Sequence, residues 1–131
     1  MGTERGLPHV LVIDDTPEIR DLFQDVLDEE GYRVTLAADV PDDLNALRRL
    51  APDLLLLDYS FSGTGAGWRL LNALKADAGL ATLPVVLCTA AHEAVRERKD
   101  ALRAWNVRVV LKPFELNDLV AALADALGQE A

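Results

Sequence analysis

Val10-Leu11-Val12-Ile13-Asp14-Asp15-Thr16-Pro17-Glu18 joins an apolar run to the signals of a helix start. Three of its first four residues are β-branched, which suits a strand. The run stops at two aspartates. Thr16, Pro17 and Glu18 then read as an N-cap, a proline at the first helical position and an acidic first turn. Beyond them Ile19, Leu22, Phe23, Val26 and Leu27 keep helical spacing, and Gly31 supplies the stop. One strand followed by one helix is the expected unit.

The unit recurs along the chain. Arg33 to Ala37 alternates polar and apolar residues, as a half-exposed strand does, and Pro41 to Leu50 carries Leu44, Leu47 and Leu50 at helical spacing. Leu54 to Leu57 is an apolar strand ending at Asp58. A glycine-rich stretch (Gly63, Gly65, Gly67) leads into a helix with Trp68, Leu71 and Leu74. Pro84 opens the strand Val85 to Cys88, which stops at Thr89. Ala94 to Trp105 reads as a charged helix. Val107 to Leu111 is the last strand, ending at Lys112-Pro113, and Leu116, Leu119, Val120, Leu123 and Leu127 line a final helix.

Five strands alternating with five helices predict an α/β domain with a parallel sheet and helices on both faces. The first, third and fourth strands are almost purely apolar and belong in the centre. Arg33 and Thr35 in the second, and Arg108 in the fifth, suit the edges. The expected order is therefore 2-1-3-4-5, the flavodoxin-like (βα)5 arrangement. The 131 residues are expected to form one domain over 8–131 with a ragged segment at 1–7. Twenty-two acidic against 13 basic residues give a net charge of −9. Such a surface disfavours direct binding to nucleic acid or anionic membranes. The single cysteine, Cys88, excludes an intrachain disulfide and reads as a core residue. With no apolar span or signal-peptide core, the cytoplasm is the expected location.

In a parallel sheet every strand ends on the same rim, and ligands bind there near the reversal of strand order. Here four strand ends deliver polar groups: Asp14 and Asp15, Asp58, Thr89, and Lys112. Each has a bland reading as a cap or a solvated end; four together, in this order, do not. Three crowded carboxylates repel unless a cation intervenes, and Mg²⁺, which favours oxygen ligands, suits them. With Lys112 included the charges cancel. A phosphoryl group arriving there meets the metal, an ammonium and the Thr89 hydroxyl, and an aspartate can accept it as an acyl phosphate.

The motifs VLVIDD (Val10–Asp15), LLLLD (Leu54–Asp58), VVLCTA (Val85–Ala90) and VVLKPF (Val109–Phe114) resemble those of the response-regulator receiver family, over roughly residues 8 to 127. The resemblance implies that Asp58 is the phosphoacceptor of a two-component or phosphorelay switch. It implies that Asp15, Asp58 and the Ser60 carbonyl ligate Mg²⁺, with Asp14 acting through water. Thr89 and Lys112 contact the phosphoryl oxygens, and the Lys112–Pro113 bond is cis. The implied donor is a phosphohistidine on a sensor kinase or phosphotransfer protein. Such a chain catalyses only its own phosphorylation and dephosphorylation, and is not otherwise an enzyme. Output passes through the face formed by the fourth helix, fifth strand and fifth helix to a protein partner or to a domain beyond this sequence.

Several positions depart from the family pattern. Val109 stands where receivers usually carry an aromatic residue that swings inward, Trp105-Asn106 replaces a usual Gly-Ala, and Ser62 replaces a proline. Asn106 tolerates a left-handed backbone and is expected to take the turn before the last strand. Ser60 and Ala91, at positions that tune phosphoryl lifetime in the family, are both small. The runner-up function is a pseudo-receiver that binds protein without being phosphorylated. An aspartate-nucleophile phosphatase of the haloacid dehalogenase kind fits poorly, because Thr16 and Pro17 stand where its second aspartate belongs and the chain is short for that fold with its cap. His9 and His92 are expected on the surface and Trp68 in the packing. Glu93 to Asp100 is expected to be a solvated helix face. The final helix lacks a basic residue between Glu115 and Leu127, which disfavours a charge-paired dimer.

Overall fold

Residues of even and odd number in the central strands go to opposite sides of the sheet, and the apolar ones are buried on both. Val10, Val12, Leu54, Leu56, Val86 and Cys88 pack with Phe23, Leu27, Leu119 and Leu123. Leu11, Ile13, Leu55, Leu57, Val85 and Leu87 pack on the other side with Leu47, Leu71, Leu74 and Leu102. Strands apolar on both faces need a helical layer on each, and the chain supplies both. The computed structural model describes residues 7–41, 43–58, 66–90 and 92–128, with Asp58 and Ala66 described by their backbone. Most of the segment expected to be ragged, residues 1–6, lies outside them.

The elements run β1 (His9–Ile13), α1 (Pro17–Glu29), β2 (Arg33–Ala37), α2 (Asn45–Leu50), β3 (Leu54–Asp58), α3 (Ala66–Ala76), β4 (Val85–Thr89), α4 (His92–Glu97), α5 (Lys99–Ala104), β5 (Arg108–Leu111) and α6 (Leu116–Ala126). The sheet is parallel, in the order β2-β1-β3-β4-β5. All five residues of β1 and of β4 are buried, whereas β2 and β5 keep exposed positions at Arg33 and Leu111. The edge positions read from Arg33, Thr35 and Arg108 are those observed.

Two helix ends are closed by the same device. After α1, Tyr32 N–H reaches the Leu27 carbonyl at 3.0 Å and Gly31 N–H the Asp28 carbonyl at 3.1 Å, with Gly31 at φ +89°. After α5, Val107 N–H reaches Leu102 O at 2.9 Å and Asn106 N–H reaches Arg103 O at 3.0 Å, with Asn106 at φ +59°. Both are Schellman closures that need a left-handed residue. Asn106 takes this turn as expected, and Val107 is spent on it, so β5 begins at Arg108.

Four further local expectations differ. Helix α2 starts at Asn45 rather than Pro41, because the Asp43 carboxylate accepts the Asn45 N–H at 2.8 Å and turns the chain there. Gly67 belongs to α3 and not to the loop before it. The helix expected over Ala94–Trp105 is divided at Arg98. His9 is not a surface residue. It is 6 % exposed, opens the central strand β1, and its Nε2 lies 2.7 Å from Thr35 Oγ1. Its buried Nδ1 makes no hydrogen bond of ordinary geometry among the described residues. Burial, with Arg33 nearby, holds its pKa below the ordinary 6.5, against smaller opposing pulls from Asp53 and the Leu50 backbone.

Two predictions follow from these contacts. A Cβ on Gly31 meets nothing within 4 Å, so Gly31→Ala carries the left-handed backbone cost alone. Urea unfolding should register a loss of about 1 kcal/mol. His9, depressed in the fold, contributes stability that is complete above pH 6.5 and is lost as the pH falls through its folded value. Between pH 7.5 and 5.5 the native chain should therefore lose stability more steeply than His9→Gln; equal slopes would refute the buried neutral imidazole.

Candidate functional site

The site is assembled by register. Ile13 pairs with Leu57, Leu57 with Leu87, and Leu87 with Val109, forming one row across β1, β3, β4 and β5. Asp14 and Asp58 each follow that row directly, on neighbouring central strands. Thr89 pairs with Leu111 one step further along, and Lys112 comes next. The Lys112 N–H donates to the Thr89 carbonyl at 2.8 Å, so the backbone binds these two positions together. The Lys112–Pro113 peptide is cis, as the family resemblance implied.

Asp14 is 2 % exposed and Thr89 fully buried, while Asp15 and Lys112 are half-buried. The Asp14 backbone is held on both sides: its N–H donates to Ala37 O at 3.1 Å, and Arg20 Nη1 donates to its carbonyl at 2.7 Å. Its carboxylate Oδ1 accepts the Thr16 N–H at 2.9 Å. Thr16 occupies the N-cap of α1, but its own side chain makes no capping bond. No side chain among the described residues is seen to take up the capping bond that the sequence assigned to the threonine; Asp14 instead holds the N-cap residue by its N–H, and this fixes the orientation of Asp14 at the rim.

Of the residues singled out in the sequence, the backbone brings Asp14, Asp15, Asp58, Thr89 and Lys112 to one end of the sheet. The Asp58 side chain, and Ser60, Ser62, Gly63, Gly65 and Ala91 altogether, lie outside the described residues. Sequence reasoning missed His92. It is exposed as expected, yet its Nε2–H donates to the Lys112 carbonyl at 2.9 Å, tying the start of α4 to the site. Its place three residues after Thr89 was the available signal. Val109 is half-buried against the core shared by Trp68, Val95 and Trp105.

The model of the response regulator receiver domain matches residues 10–124. The chain belongs to this family. Among curated relatives, the receiver is 33 % identical over 114 residues to the phosphate regulon transcriptional regulatory protein PhoB of Klebsiella pneumoniae, covering 87 % of this chain and 49 % of that protein. It is 35 % identical over 112 residues to the DNA-binding response regulator MtrA of Mycolicibacterium smegmatis, covering 86 % and 47 %. The chain thus spans about half the length of these relatives. Among solved structures it resembles the receiver domain of nitrogen regulatory protein C, with 29 % identity, a TM-score of 0.77 and coverage of 92 % and 94 %. Chemotaxis response regulator CheY4 of Vibrio cholerae shares the fold, with 24 % identity, a TM-score of 0.76 and coverage of 92 % and 98 %.

The receiver's α1 cap gives a direct test. Replacing an N-cap threonine by alanine ordinarily costs about 1 kcal/mol. Because the Thr16 hydroxyl caps nothing here, Thr16→Ala should change the urea-unfolding free energy by less than about 0.5 kcal/mol. A full capping loss would mean that the hydroxyl closes the helix after all.

Proposed function

We propose that this receiver is a phosphoryl-accepting switch in which Asp58 takes the group from a phosphohistidine of a sensor kinase or a histidine phosphotransfer protein. The observation that carries this reading is the register that sets Asp14 and Asp58 side by side at the ends of β1 and β3, with Lys112 hydrogen-bonded to Thr89 across β4 and β5. A carboxylate oxygen of Asp58 forms the new P–O bond as the P–N bond of the phosphohistidine breaks, and the imidazole leaves with the electron pair. The Lys112 ammonium and the Thr89 hydroxyl meet the charge on the phosphoryl oxygens. Little covalent work falls to the protein, so positioning and charge supply the rate.

The donor set suits a hard divalent cation. Asp14 is a carboxylate 2 % exposed, and among the described residues one backbone N–H reaches it, so uncompensated charge favours a cation beside it. Asp15, Asp58 and the Ser60 carbonyl would hold Mg²⁺ directly, and Asp14 through water. When bound, the ion lowers the repulsion between the carboxylates and the incoming phosphoryl group. Arg20 and Thr16 keep Asp14 aimed at the rim while this happens.

The switch is its own catalyst and turns over no other substrate. Phosphorylation shifts a two-state equilibrium and changes what the face of α4, α5, β5 and α6 binds. Output passes to a protein partner or to a domain beyond this sequence. The net charge of −9 keeps this domain itself off nucleic acid and anionic membranes. No helix among the described residues is long and apolar enough to cross a membrane, and we place the switch in the cytoplasm. Val109 favours a second reading, a protein-binding pseudo-receiver, because the usual aromatic is missing from that position.

Intact mass after incubation with Mg²⁺ and acetyl phosphate decides between the two. The receiver should gain one phosphoryl group, lose the gain in EDTA, and show none in Asp58→Asn. No adduct despite measurable Mg²⁺ binding would favour the pseudo-receiver. An adduct persisting in Asp58→Asn would place the acceptor elsewhere.

A further inference from the structure

The sequence from His92 to Ala104 holds neither glycine nor proline, and Ala94, Arg96, Glu97, Arg98, Lys99, Ala101, Leu102, Arg103 and Ala104 all favour helix. Local propensity therefore asks for one continuous helix. The backbone instead departs at Arg98, with φ −109° and ψ 14°. The Arg98 N–H reaches back to Ala94 O and Val95 O at 3.2 and 3.1 Å, and the ladder restarts with Leu102 N–H on Arg98 O at 3.0 Å. The reason for the break lies outside the segment.

Arg98 is seated on another element. Its guanidinium carbon lies 4.5 Å from the centroid of the Trp68 ring, and Trp68 packs on Trp105 with ring centroids 5.5 Å apart and planes inclined by 35°. The seat carries a penalty, because Arg98 Nε is buried with no hydrogen-bond partner among the described residues. The attraction of a guanidinium for an indole face and the penalty of a buried N–H without an acceptor are of the same order. Arg98 Nη1 also lies 4.0 Å from Glu97 Oε1 on its own segment, a partly exposed pair that does not tie the side chain to Trp68. Opposing contributions of similar size at the indole leave room for the seated and released forms of a two-state element.

Both ends of this joint lead to the rim. His92, at the head of α4, bonds the Lys112 carbonyl. Trp68 stands in the first turn of α3, the next described helix after Asp58. A change at Lys112 that moves α4 relative to α3 must act on the contact between Arg98 and Trp68.

We propose that Arg98 on Trp68 is a latch: seated, it keeps α4 and α5 apart; released, it lets them join into one helix. Release reshapes the groove of about 370 Å³ that these helices form with β5, lined by Val95, Lys99, Leu102, Arg103, Val107 and Val109. The indole pair thus fills the part that an aromatic residue at position 109 would otherwise play. The trigger rests on the phosphoryl-switch reading above; the latch itself does not.

Amide hydrogen exchange tests both parts, read beside intact mass with and without Mg²⁺ and acetyl phosphate. In the native protein, the adduct should be accompanied by slower exchange at residues 99–101 as the ladder closes across the joint. Without donor, Arg98→Gln should already show that slowing, by about two- to fivefold, the factor that a partly exposed cation–π contact represents. It should change little further when it takes up its own adduct. Trp68→Phe, which keeps the ring but weakens the attraction, should move the same way, and Arg98→Lys should stay near the native rate. If Arg98→Gln and Trp68→Phe exchange as the native chain does, the latch is overturned, whether or not an adduct forms. If the variants slow but the native adduct does not, phosphorylation is overturned as the trigger. If no adduct forms at all, the switch reading fails while the variants still judge the latch.

Discussion

A parallel sheet covered on both faces leaves polar groups two places to stand, the edges and the ends, and this receiver depends on that constraint. The central strands bury Val10 to Ile13, Leu54 to Leu57 and Val85 to Cys88 with almost no exposure. A charged side chain within those runs would lose its water without compensation. It is admitted at the first position beyond the apolar row, where Asp14 follows Ile13 and Asp58 follows Leu57. Because parallel strands share a direction, these positions fall on one rim, and register sets them side by side. Packing the core and building the site are the same act.

Electrostatics then narrows what the rim can do. Asp14 is nearly buried and Asp15 half-buried, in a chain already carrying a net charge of −9. Carboxylates gathered under those conditions favour a cation, and Lys112 arrives from β5 on a backbone hydrogen bond to Thr89. The Asp14 carboxylate also accepts the N–H of Thr16, the N-cap residue of α1. One side chain thus holds the N-cap residue of α1 and stands at the rim, which couples its orientation to the folding of its neighbour.

The layer opposite α1 and α6 is built differently. There Trp68, Trp105 and the seated guanidinium of Arg98 form a partly polar packing cluster, and the helix before β5 is divided where they meet. Val109 adds an aliphatic surface to the same core, in place of a ring that could swing. Flexibility in this face is therefore placed in a helix joint. The closure at Asn106, pinned by two hydrogen bonds to α5, keeps that joint's far end fixed against β5.

The sequence by itself determined the alternation of strands and helices, their order in the sheet and the four strand ends that carry polar groups. Those features follow from local patterning: apolar runs with two buried faces, helical spacing, and residues that a buried strand cannot hold. Even the left-handed turn at Asn106 was legible, because few side chains tolerate it. Only the tertiary structure decided the features that arise between elements. His9 looked like a surface histidine and is buried, because the strand it opens lies inside the sheet, between β2 and β3. His92 looked isolated and bonds Lys112 from another element. The helix over Ala94–Trp105 has every local reason to be continuous and is divided at Arg98, whose guanidinium lies over an indole brought from α3. Contacts between residues far apart in the chain leave no periodic trace, so strand and helix patterning did not announce them.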